Sequence, residues 1–215
     1  MLIDTHIHTA ETSPCALTTA SEAVALYQRA GYDGFVITDH MYPFILRGCR
    51  NEAWHEQVDF WLTGYRAAKM AARDNFAVFL GMEIRFASCH NDYLLFGLNE
   101  DFIYDNPNLH KYKTLQEFRP LADKNGILIV QAHPFRRGMT VVDPTLLDGM
   151  EILNANHENN NEFAKMWSEK YGLFPTAGTD YHEGDVRYGL RLERRVEDSK
   201  ELAEILRQGE YSIVE

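Results

Sequence analysis

The sequence lacks the features of disulfide-stapled, membrane-spanning and disordered proteins. Its three cysteines, Cys15, Cys49 and Cys89, are widely spaced and include no C-x-x-C pair, which argues against a disulfide framework and for a reducing compartment. The apolar runs are far too short to cross a bilayer, and no basic leader followed by an apolar core indicates a signal peptide. There is no repeat of fixed period and no low-complexity segment. We therefore expect a folded cytoplasmic protein that has no membrane partner.

Basic residues are also scarce. Lys and Arg number 21 against 32 Asp and Glu, which gives a formal net charge of −11. Proteins that bind duplex nucleic acid independently of sequence need a basic face, so this balance argues against long nucleic acid as a partner. It permits a small anionic substrate, because a few arginines near bound cations can override the overall field locally.

What the chain does contain fits one globular domain over residues 1–215. Of these residues, 45% are apolar and 12% aromatic, which is enough for a full core. Apolar periodicity predicts strands that alternate with helices, the pattern of a parallel α/β fold. The predicted strands cover residues 4–8, 34–38, 77–82, 92–98, 127–130, 150–154 and 211–214, and residues 174–178 are the strand that leads into Asp180 and His182. The predicted helices cover residues 19–30, 52–75, 114–125, 162–171 and 199–208, and a polar loop is expected over residues 100–113.

The first strand, Asp4-Thr5-His6-Ile7-His8, carries an acid and two histidines at alternate positions. Alternation places these three side chains on one face of the strand. Two imidazoles two residues apart, roughly 6–7 Å between Cα atoms, can both reach one metal ion beyond the strand end. Ionisable residues also follow four further strands, at the edge where a parallel β/α barrel has its active site. They are His40, Glu83, His133, and Asp180 with His182.

In this order the motifs resemble the PHP (polymerase and histidinol phosphatase) family of metal-dependent phosphoesterases. The matching segments are Asp4-Thr5-His6-Ile7-His8-Thr9, Ile37-Thr38-Asp39-His40, Gly81-Met82-Glu83, Ala132-His133-Pro134-Phe135, Glu151-Ile152-Leu153-Asn154 and Gly178-Thr179-Asp180-Tyr181-His182. The resemblance implies a distorted seven-stranded (β/α) barrel of PHP type. It also implies a cluster of two or three divalent metal ions at the C-terminal ends of the strands.

Carried over position by position, the resemblance implies a ligand role for each matching residue. The first metal would be held by His6, His8, Glu83 and Asp180, the second by Glu83 as a bridge with His133, and the third by His40 and His182. Imidazole and carboxylate ligands suit zinc, manganese and iron, so the set does not choose among these metals.

Two ligand positions depart from the family pattern. The third metal usually takes a further ligand from the loop after the first motif, where this chain offers Glu11 or Cys15. We favour Glu11 because hard metal ions prefer oxygen, with Cys15 as the alternative. The second metal commonly takes a histidine on the fourth strand, where Leu94 stands here. His90, four residues earlier, is the candidate that could reach this site from the start of the strand.

The implied activity is hydrolysis of a small phosphorylated metabolite, either a phosphomonoester or a phosphodiester. Our hypothesis is that a hydroxide bridging two metal ions attacks phosphorus in line. Asp180 or His182 would then shuttle a proton or assist the leaving group.

Arginines beside the ligand motifs predict where the substrate binds. Arg85, Arg136 and Arg187 each follow a different motif, and guanidinium groups match phosphate oxygens in pairs. Asn154 is expected to contact the substrate or to support a ligand. Tyr42, Phe44 and Arg47 follow His40 on a loop that we expect to cover the site.

Two other functions remain open at this point. An amidohydrolase-type enzyme that cleaves C–N or C–O bonds would also open with His-x-His. Such enzymes often carry a lysine at a central strand end, and no strand end has one here. A non-catalytic regulatory module of the same family would be expected to have lost ligands, whereas most of them are present.

Overall fold

The computed structural model describes residues 1–42, 44–73, 76–156 and 158–215, and the side chain of Arg47 lies outside this description, as does His157. The described ranges form eleven strands and seven α-helices. The strands are β1 (Leu2–Ile7), β2 (Gly34–Ile37), β3 (His40–Met41), β4 (Ala77–Leu80), β5 (Met82–Arg85), β6 (Asp92–Phe96), β7 (Leu128–Gln131), β8 (Gly149–Asn154), β9 (Phe174–Gly178), β10 (Gly189–Leu192) and β11 (Tyr211–Val214). The helices are α1 (Ala20–Arg29), α2 (Trp54–Trp61), α3 (Thr63–Ala71), α4 (Glu100–Asp105), α5 (Leu115–Asn125), α6 (Asn161–Tyr171) and α7 (Ser199–Gln208).

The strands form two mixed sheets. One has the order β11-β10-β1-β2-β4 and the other the order β3-β5-β6-β7-β8-β9. The chain passes from the first sheet to the second twice, between β2 and β3 and between β4 and β5. The second crossing is at Gly81, where a Cβ atom would lie 2.7 Å from the Val36 side chain. A glycine there allows two strand segments to meet at a bend.

The order of neighbours describes a ring of seven strand positions: β1, β2 with β3, β4 with β5, β6, β7, β8 and β9. β9 returns to β1 through one parallel bridge, Ile7–Tyr181. A mixed α/β fold is therefore observed, whereas a closed barrel is not established by the sheet pairing and stays a prediction.

The expectation of a wholly parallel sheet is wrong at the fourth position of this ring. β6 runs antiparallel to both of its neighbours, β5 and β7. The short connection over residues 86–91 explains this direction, because a parallel crossover needs a dozen or more residues. β10, which had not been predicted, is antiparallel to β1 and β11.

Local signals account for most helix boundaries. Thr19 caps α1 in a capping box with Glu22, and Thr114 caps α5 by accepting a hydrogen bond from the backbone of Glu117. Both arrangements satisfy backbone N–H groups that have no partner within the helix. The predicted positions of α1, α5, α6 and α7 agree with the observed ones to within about two residues.

Two sequence-based assignments need correction. The single helix predicted over residues 52–75, whose last two residues lie outside the description, is two helices separated at Leu62. The nearest glycine, Gly64, lies inside the second helix, and the apolar spacing continues across Leu62, so the sequence pattern did not show the break. The predicted loop over residues 100–113 contains α4, which is capped by Asn99 and buries Phe102 and Ile103.

Packing places the core between the sheets and the helices around them. The largest buried apolar cluster joins β5 and β6 to α2 and α5, and a second lies under α7. Among the described residues, no helix is long and apolar enough to cross a membrane. The cytoplasmic location stays a prediction.

Candidate metal centre

Ionisable side chains from six strands meet at one edge of the two sheets. His6 is in β1 and His8 directly follows it, while His133 and Asp180 follow β7 and β9. The antiparallel strand β6 contributes from its start, because its first residue pairs with the end of β5. Asp92 therefore reaches the same edge as residues that end parallel strands.

These side chains form one continuous cluster. Four sets of three residues each bring one ligand atom within 4.8 Å of the others. The sets are His8–His40–His182, His6–His133–Asp180, His6–His8–Glu83 and Glu83–Asp92–His133. Because the sets share members, cations bound in two of them would be neighbours.

Glu83 lies at the centre of this cluster. Its Oε1 is 3.1 Å from Nε2 of His133 and 3.6 Å from Nε2 of His6. Its Oε2 is 2.5 Å from Nδ1 of His40 and 3.5 Å from Nε2 of His8. The two oxygens thus face different pairs of imidazoles, the arrangement that a carboxylate shared by two cations requires.

Asp180 completes the group around the first strand. Its Oδ1 lies 3.4 Å from Nε2 of His6 and 3.3 Å from Nε2 of His8, and these two nitrogens are 3.1 Å apart. Three potential ligand atoms therefore converge on one point. Asp4, which alternation placed on the same strand face, instead accepts hydrogen bonds from Tyr27 Oη and the backbone of Thr179.

Glu151 supports the cluster and was not among the predicted site residues. Its Oε1 lies 2.9 Å from Nδ1 of His6 and accepts a hydrogen bond from it, so Nε2 of His6, which faces the other side chains of the cluster, is the ring nitrogen that would lose its proton to bind a cation. Its Oε2 accepts from the backbone N–H of His133 and from Nδ2 of Asn154, both at 2.8 Å. A carboxylate behind a histidine commonly orients it and raises its basicity as a ligand. Glu151 begins the segment Glu151-Ile152-Leu153-Asn154, which resembles a family motif, and that resemblance was the signal in the sequence that could have identified it.

Asp92 was also missed. Its Oδ1 accepts hydrogen bonds from Tyr42 Oη and Arg85 Nε, at 2.8 and 2.7 Å. Its Oδ2 lies 3.8 Å from Nε2 of His133 and accepts from Arg136 at 3.3 Å. The sequence pattern predicted site residues only at the ends of parallel strands. Asp92 is the first residue of a strand that runs in the opposite direction, so it was not predicted.

The backbone is strained at two of these positions. His133 has φ +27° and Asp180 has φ +53°, conformations that residues with a Cβ seldom adopt. Such strain costs about 1–3 kcal/mol and persists where the surrounding structure requires it. Gly178, two residues before Asp180, approaches His6 so closely that a Cβ atom would lie 2.4 Å from the Cβ of His6. The close approach at Gly178 lets the loop after β9 lie against the first strand.

Burial and charge move the pKa values of the cluster in opposite directions. Burial lowers the pKa of His6, but the carboxylates of Glu151 and Asp180 raise it well above the usual value. Burial and the nearby charge of His40 keep the pKa of His8 well below its usual value. For Glu83 and Asp180, burial opposes ionisation, yet the surrounding imidazoles lower both pKa values strongly. The carboxylates are therefore ionised and ready to bind cations.

The residues fit divalent cations by their chemistry. Nδ1 of His8 and Nδ1 of His133 are buried without a hydrogen-bond partner among the described residues. The 2.5 Å approach of Glu83 to His40 lacks the alignment of a hydrogen bond. Buried polar atoms normally have partners. Oε2 of Glu83 also has none among the described residues and lies 3.5 Å from Nε2 of His8, so it is an atom that a bound ion would satisfy. The mixture of imidazole and carboxylate suits zinc, manganese or iron.

Three predicted ligands lie at the margin of this cluster or outside it. Both carboxylate oxygens of Glu11 accept hydrogen bonds from the backbone of Ala20, at the start of α1. His90 is exposed and belongs to none of the four sets. Cys15, the alternative to Glu11, lies with its Sγ 3.2 Å from Nε2 of His40.

The predicted substrate residues occupy two environments. Arg85 and Arg136 both bind Asp92, and the guanidinium of Arg85 lies 4.6 Å from the centre of the Tyr42 ring. Arg187 is exposed and lines, with Arg136, Asp180 and His182, an open cavity of about 590 Å³. Asn154 is buried and binds Glu151. Substrate contact by these residues stays a prediction.

The predicted covering loop is only partly in place over the site. Tyr42 is buried and its ring stacks on His40 with centroids 4.4 Å apart, whereas Phe44 is 45% exposed. The Arg47 side chain lies outside the described residues.

Comparisons with known proteins agree with this geometry at the level of the fold. No family model and no curated protein matches the sequence. Among solved structures, the chain matches a two-domain protein from Bacteroides vulgatus that contains a predicted PHP-like metal-dependent phosphoesterase, with TM-score 0.69 and 15% identity over 99% of this chain and 64% of that one. The fold is that of PHP-like phosphoesterases.

Two further PHP-like matches extend the comparison. One is a putative metal-dependent phosphoesterase from Bifidobacterium adolescentis, with TM-score 0.60 and 14% identity over 95% of each chain. The other is Endonuclease Q in complex with a 27-mer duplex that has an abasic lesion at the active site, with TM-score 0.66 and 13% identity over 97% of this chain and 57% of that one. The chain thus spans less than two thirds of two of these three proteins.

The Endonuclease Q complex contradicts one expectation. The resemblance led us to expect a small phosphorylated substrate, and the net charge of −11 was the reason to exclude long nucleic acid. A protein of this PHP-like fold is nevertheless solved with a duplex whose abasic lesion lies at the active site. The prediction is wrong because net charge does not determine the local field. Several of the acidic residues counted there, such as Glu83 and Asp92, are buried in the cluster, where bound cations would neutralise them.

Proposed function

We propose that this chain is a metal-dependent phosphoesterase. The observation that carries the proposal is the position of Glu83, whose two oxygens face different pairs of imidazoles. Phosphoester hydrolysis needs charge neutralisation on both sides of the reacting phosphorus, and adjacent cations provide it. The PHP-like fold supports the same reaction class. We also propose that the two sheets close into a barrel of PHP type.

The residues that would hold the cations are those of the four sets. When bound, divalent ions supply acidity to water and neutralise phosphoryl oxygens. His6, His8, Glu83 and Asp180 surround the first position, with Glu83, Asp92 and His133 next to it. Two or three ions are expected, with His40 and His182 at the third position. Zinc, manganese and iron are the candidates.

Residues that line the cavity act on the substrate. Asp180 is ionised and faces the cavity, so it accepts a hydrogen bond from the attacking water and orients it. Arg136, held by Asp92 at 3.3 Å, and the exposed Arg187 bind phosphoryl oxygens. His182 serves as a ligand at the third position, and proton transfer by its imidazole is the alternative role.

Nucleic acid phosphodiesters are the substrate class that we would test first. This choice is supported by the likeness of the fold to Endonuclease Q. It is also supported by the open cavity, where an arginine and the ligand Asp180 lie close to solvent. An abasic duplex is therefore the first substrate of a panel that continues with intact duplex, single-stranded DNA and chromogenic phosphomonoesters and phosphodiesters.

The test begins with protein stripped by a chelator and reconstituted separately with manganese, zinc and iron(II). We expect hydrolysis of at least one phosphoester only after metal addition, and its loss in Asp180→Asn. Asp105→Asn, which changes an exposed acid at the end of α4, is the matched control.

The outcomes separate the competing functions. Hydrolysis that survives complete metal removal would refute the proposal. Turnover of carboxylic esters or amides, without turnover of any phosphoester, would assign the chain to amidohydrolase-type chemistry. Metal binding without hydrolysis of any substrate would favour a regulatory module.

A further inference from the structure

The loop between β1 and α1 brings a thiol to the third ligand set. Sγ of Cys15 is 3.2 Å from Nε2 of His40, and two residues further along the loop the backbone N–H of Leu17 binds the carbonyl of His182. His40 and His182 form a set of potential ligands with His8, whose Nδ1 is buried without a partner among the described residues. The thiol therefore lies beside this set, in contact with the imidazole of His40.

Buried hydrogen bonds anchor this loop on the side that precedes Cys15. Asp39 accepts from the backbone and the hydroxyl of Thr9, at 2.8 and 2.6 Å, and from the hydroxyl of Ser13 at 2.7 Å. The Ser13 hydroxyl in turn accepts from the backbone N–H of His40 at 3.1 Å. Asp39 and Ser13 are both fully buried, so the loop is attached to the residue next to a ligand and to that ligand itself.

A second anchor follows Cys15. The backbone N–H of Leu17 donates to the carbonyl of His182 at 3.0 Å. Cys15 thus lies between one attachment to His40 and another to His182, and its position relative to both imidazoles is set by the backbone. A surface cysteine on an unattached loop would have no such constraint.

The spacing of the donor atoms suits a tetrahedral metal ion. Zinc bonds of about 2.3 Å to sulfur and about 2.0–2.1 Å to nitrogen place the two donors roughly 3.6 Å apart. The observed 3.2 Å between Cys15 and His40 needs to open by only a few tenths of an ångström. Glu11, the oxygen donor expected at this position, is committed to Ala20 at the start of α1.

We propose that Cys15 is a thiolate ligand of the third metal position, together with His40 and His182. The soft sulfur donor makes this position selective for zinc or cobalt over manganese and magnesium. This inference rests on the proposed function only in requiring a metal centre, and it concerns one position of that centre.

Cobalt(II) reports on this ligand without any enzymatic reaction. Metal-free protein titrated with cobalt(II) should develop visible ligand-field bands, which indicate binding, and a near-ultraviolet thiolate-to-cobalt charge-transfer band, which indicates a sulfur ligand. We expect Cys15→Ser to lose the charge-transfer band and Cys15→Asp to lose it while still binding the third equivalent. Cys49→Ser and Cys89→Ser are matched controls that should keep it.

A second measurement uses the unmodified protein, so that it does not depend on a variant that folds. With zinc at about ten times its Kd, alkylation of Cys15 should slow about tenfold by mass action. Alkylation of Cys49 and Cys89, followed in the same digest by mass spectrometry, should not change.

Each result has one meaning. Ligand-field bands without a charge-transfer band, or a band that survives in Cys15→Ser, would overturn the assignment of Cys15 and leave the phosphoesterase proposal standing. A charge-transfer band in a protein that hydrolyses no phosphoester would support the ligand and refute the function. Absence of any cobalt binding would overturn both.

Discussion

Glu151→Gln is the substitution that tests most directly how the cluster is organised. The carboxylate is fully buried and accepts three hydrogen bonds, from Nδ1 of His6, the backbone of His133 and Nδ2 of Asn154. All three partners are donors. Glutamine has the same shape but replaces one acceptor oxygen with an NH₂ group.

Neither orientation of the glutamine amide preserves this arrangement. If the amide oxygen faces His133 and Asn154, the NH₂ group faces Nδ1 of His6, which must then accept, so its proton moves to Nε2 and removes the lone pair that a metal needs. If the oxygen faces His6, the NH₂ group opposes the donors of His133 and Asn154. An unsatisfied buried donor costs about 1–3 kcal/mol.

We therefore expect Glu151→Gln to weaken metal binding by about 10- to 100-fold, the range for carboxylates behind metal-ligating histidines. This corresponds to about 1.4–2.7 kcal/mol. Competition with a chromogenic chelator at pH 7 measures the affinity, and thermal unfolding of the metal-free protein measures stability separately. Glu162→Gln, at an exposed position of α6, is the control.

An unchanged affinity for every bound equivalent in Glu151→Gln would refute this reasoning. It would mean that the proton on His6 is not controlled by Glu151. A large loss of stability with unchanged metal affinity would assign Glu151 a purely structural role.

Three further predictions concern packing, substrate binding and pH. Gly178→Ala should lower the free energy of unfolding by about 1–3 kcal/mol in urea titrations, because its Cβ would overlap the Cβ of His6 in β1. Gly48→Ala, with nothing within 4 Å of its Cβ, should leave this free energy unchanged. Arg136→Ala should lower kcat/KM for a phosphoester by about 10- to 100-fold, the value of a charged hydrogen bond to phosphate, while the exposed neighbour variant Arg137→Ala leaves it unchanged. In metal-free protein, burial lowers the pKa of His40, but the ion pair with Glu83 outweighs this effect and raises the pKa from 6.5 to about 10. The stabilisation that the charged imidazole provides is complete below pH 6.5 and is lost as the pH rises to 10. The Tm of the metal-free protein should therefore fall over that interval, and the fall should be smaller in His40→Asn.

Local sequence patterns were sufficient for the elements whose signals are local. The capping residues Thr19 and Thr114 and the apolar runs of β2 and β7 placed helices and strands close to their observed positions. Strand direction is a different kind of property. Nothing within residues 92–98 distinguishes a strand that runs parallel to its neighbours from one that runs antiparallel, because both bury the same side chains.

The candidate site shows the same contrast between features that local sequence predicts and features that depend on the tertiary structure. The sequence by itself determined which residues carry metal-binding chemistry at strand ends, since His6, His8, Glu83, His133 and Asp180 could be read from motif and periodicity. Only the tertiary structure decided what surrounds them. The antiparallel direction of β6 brings in Asp92, and the donors around Glu151 come from three separated segments. The loop anchors that place Cys15 beside His40 likewise join residues far apart in the chain. Whether a side chain can bind a metal ion is a local property of the chain, whereas the environment of that side chain depends on contacts that form only on folding.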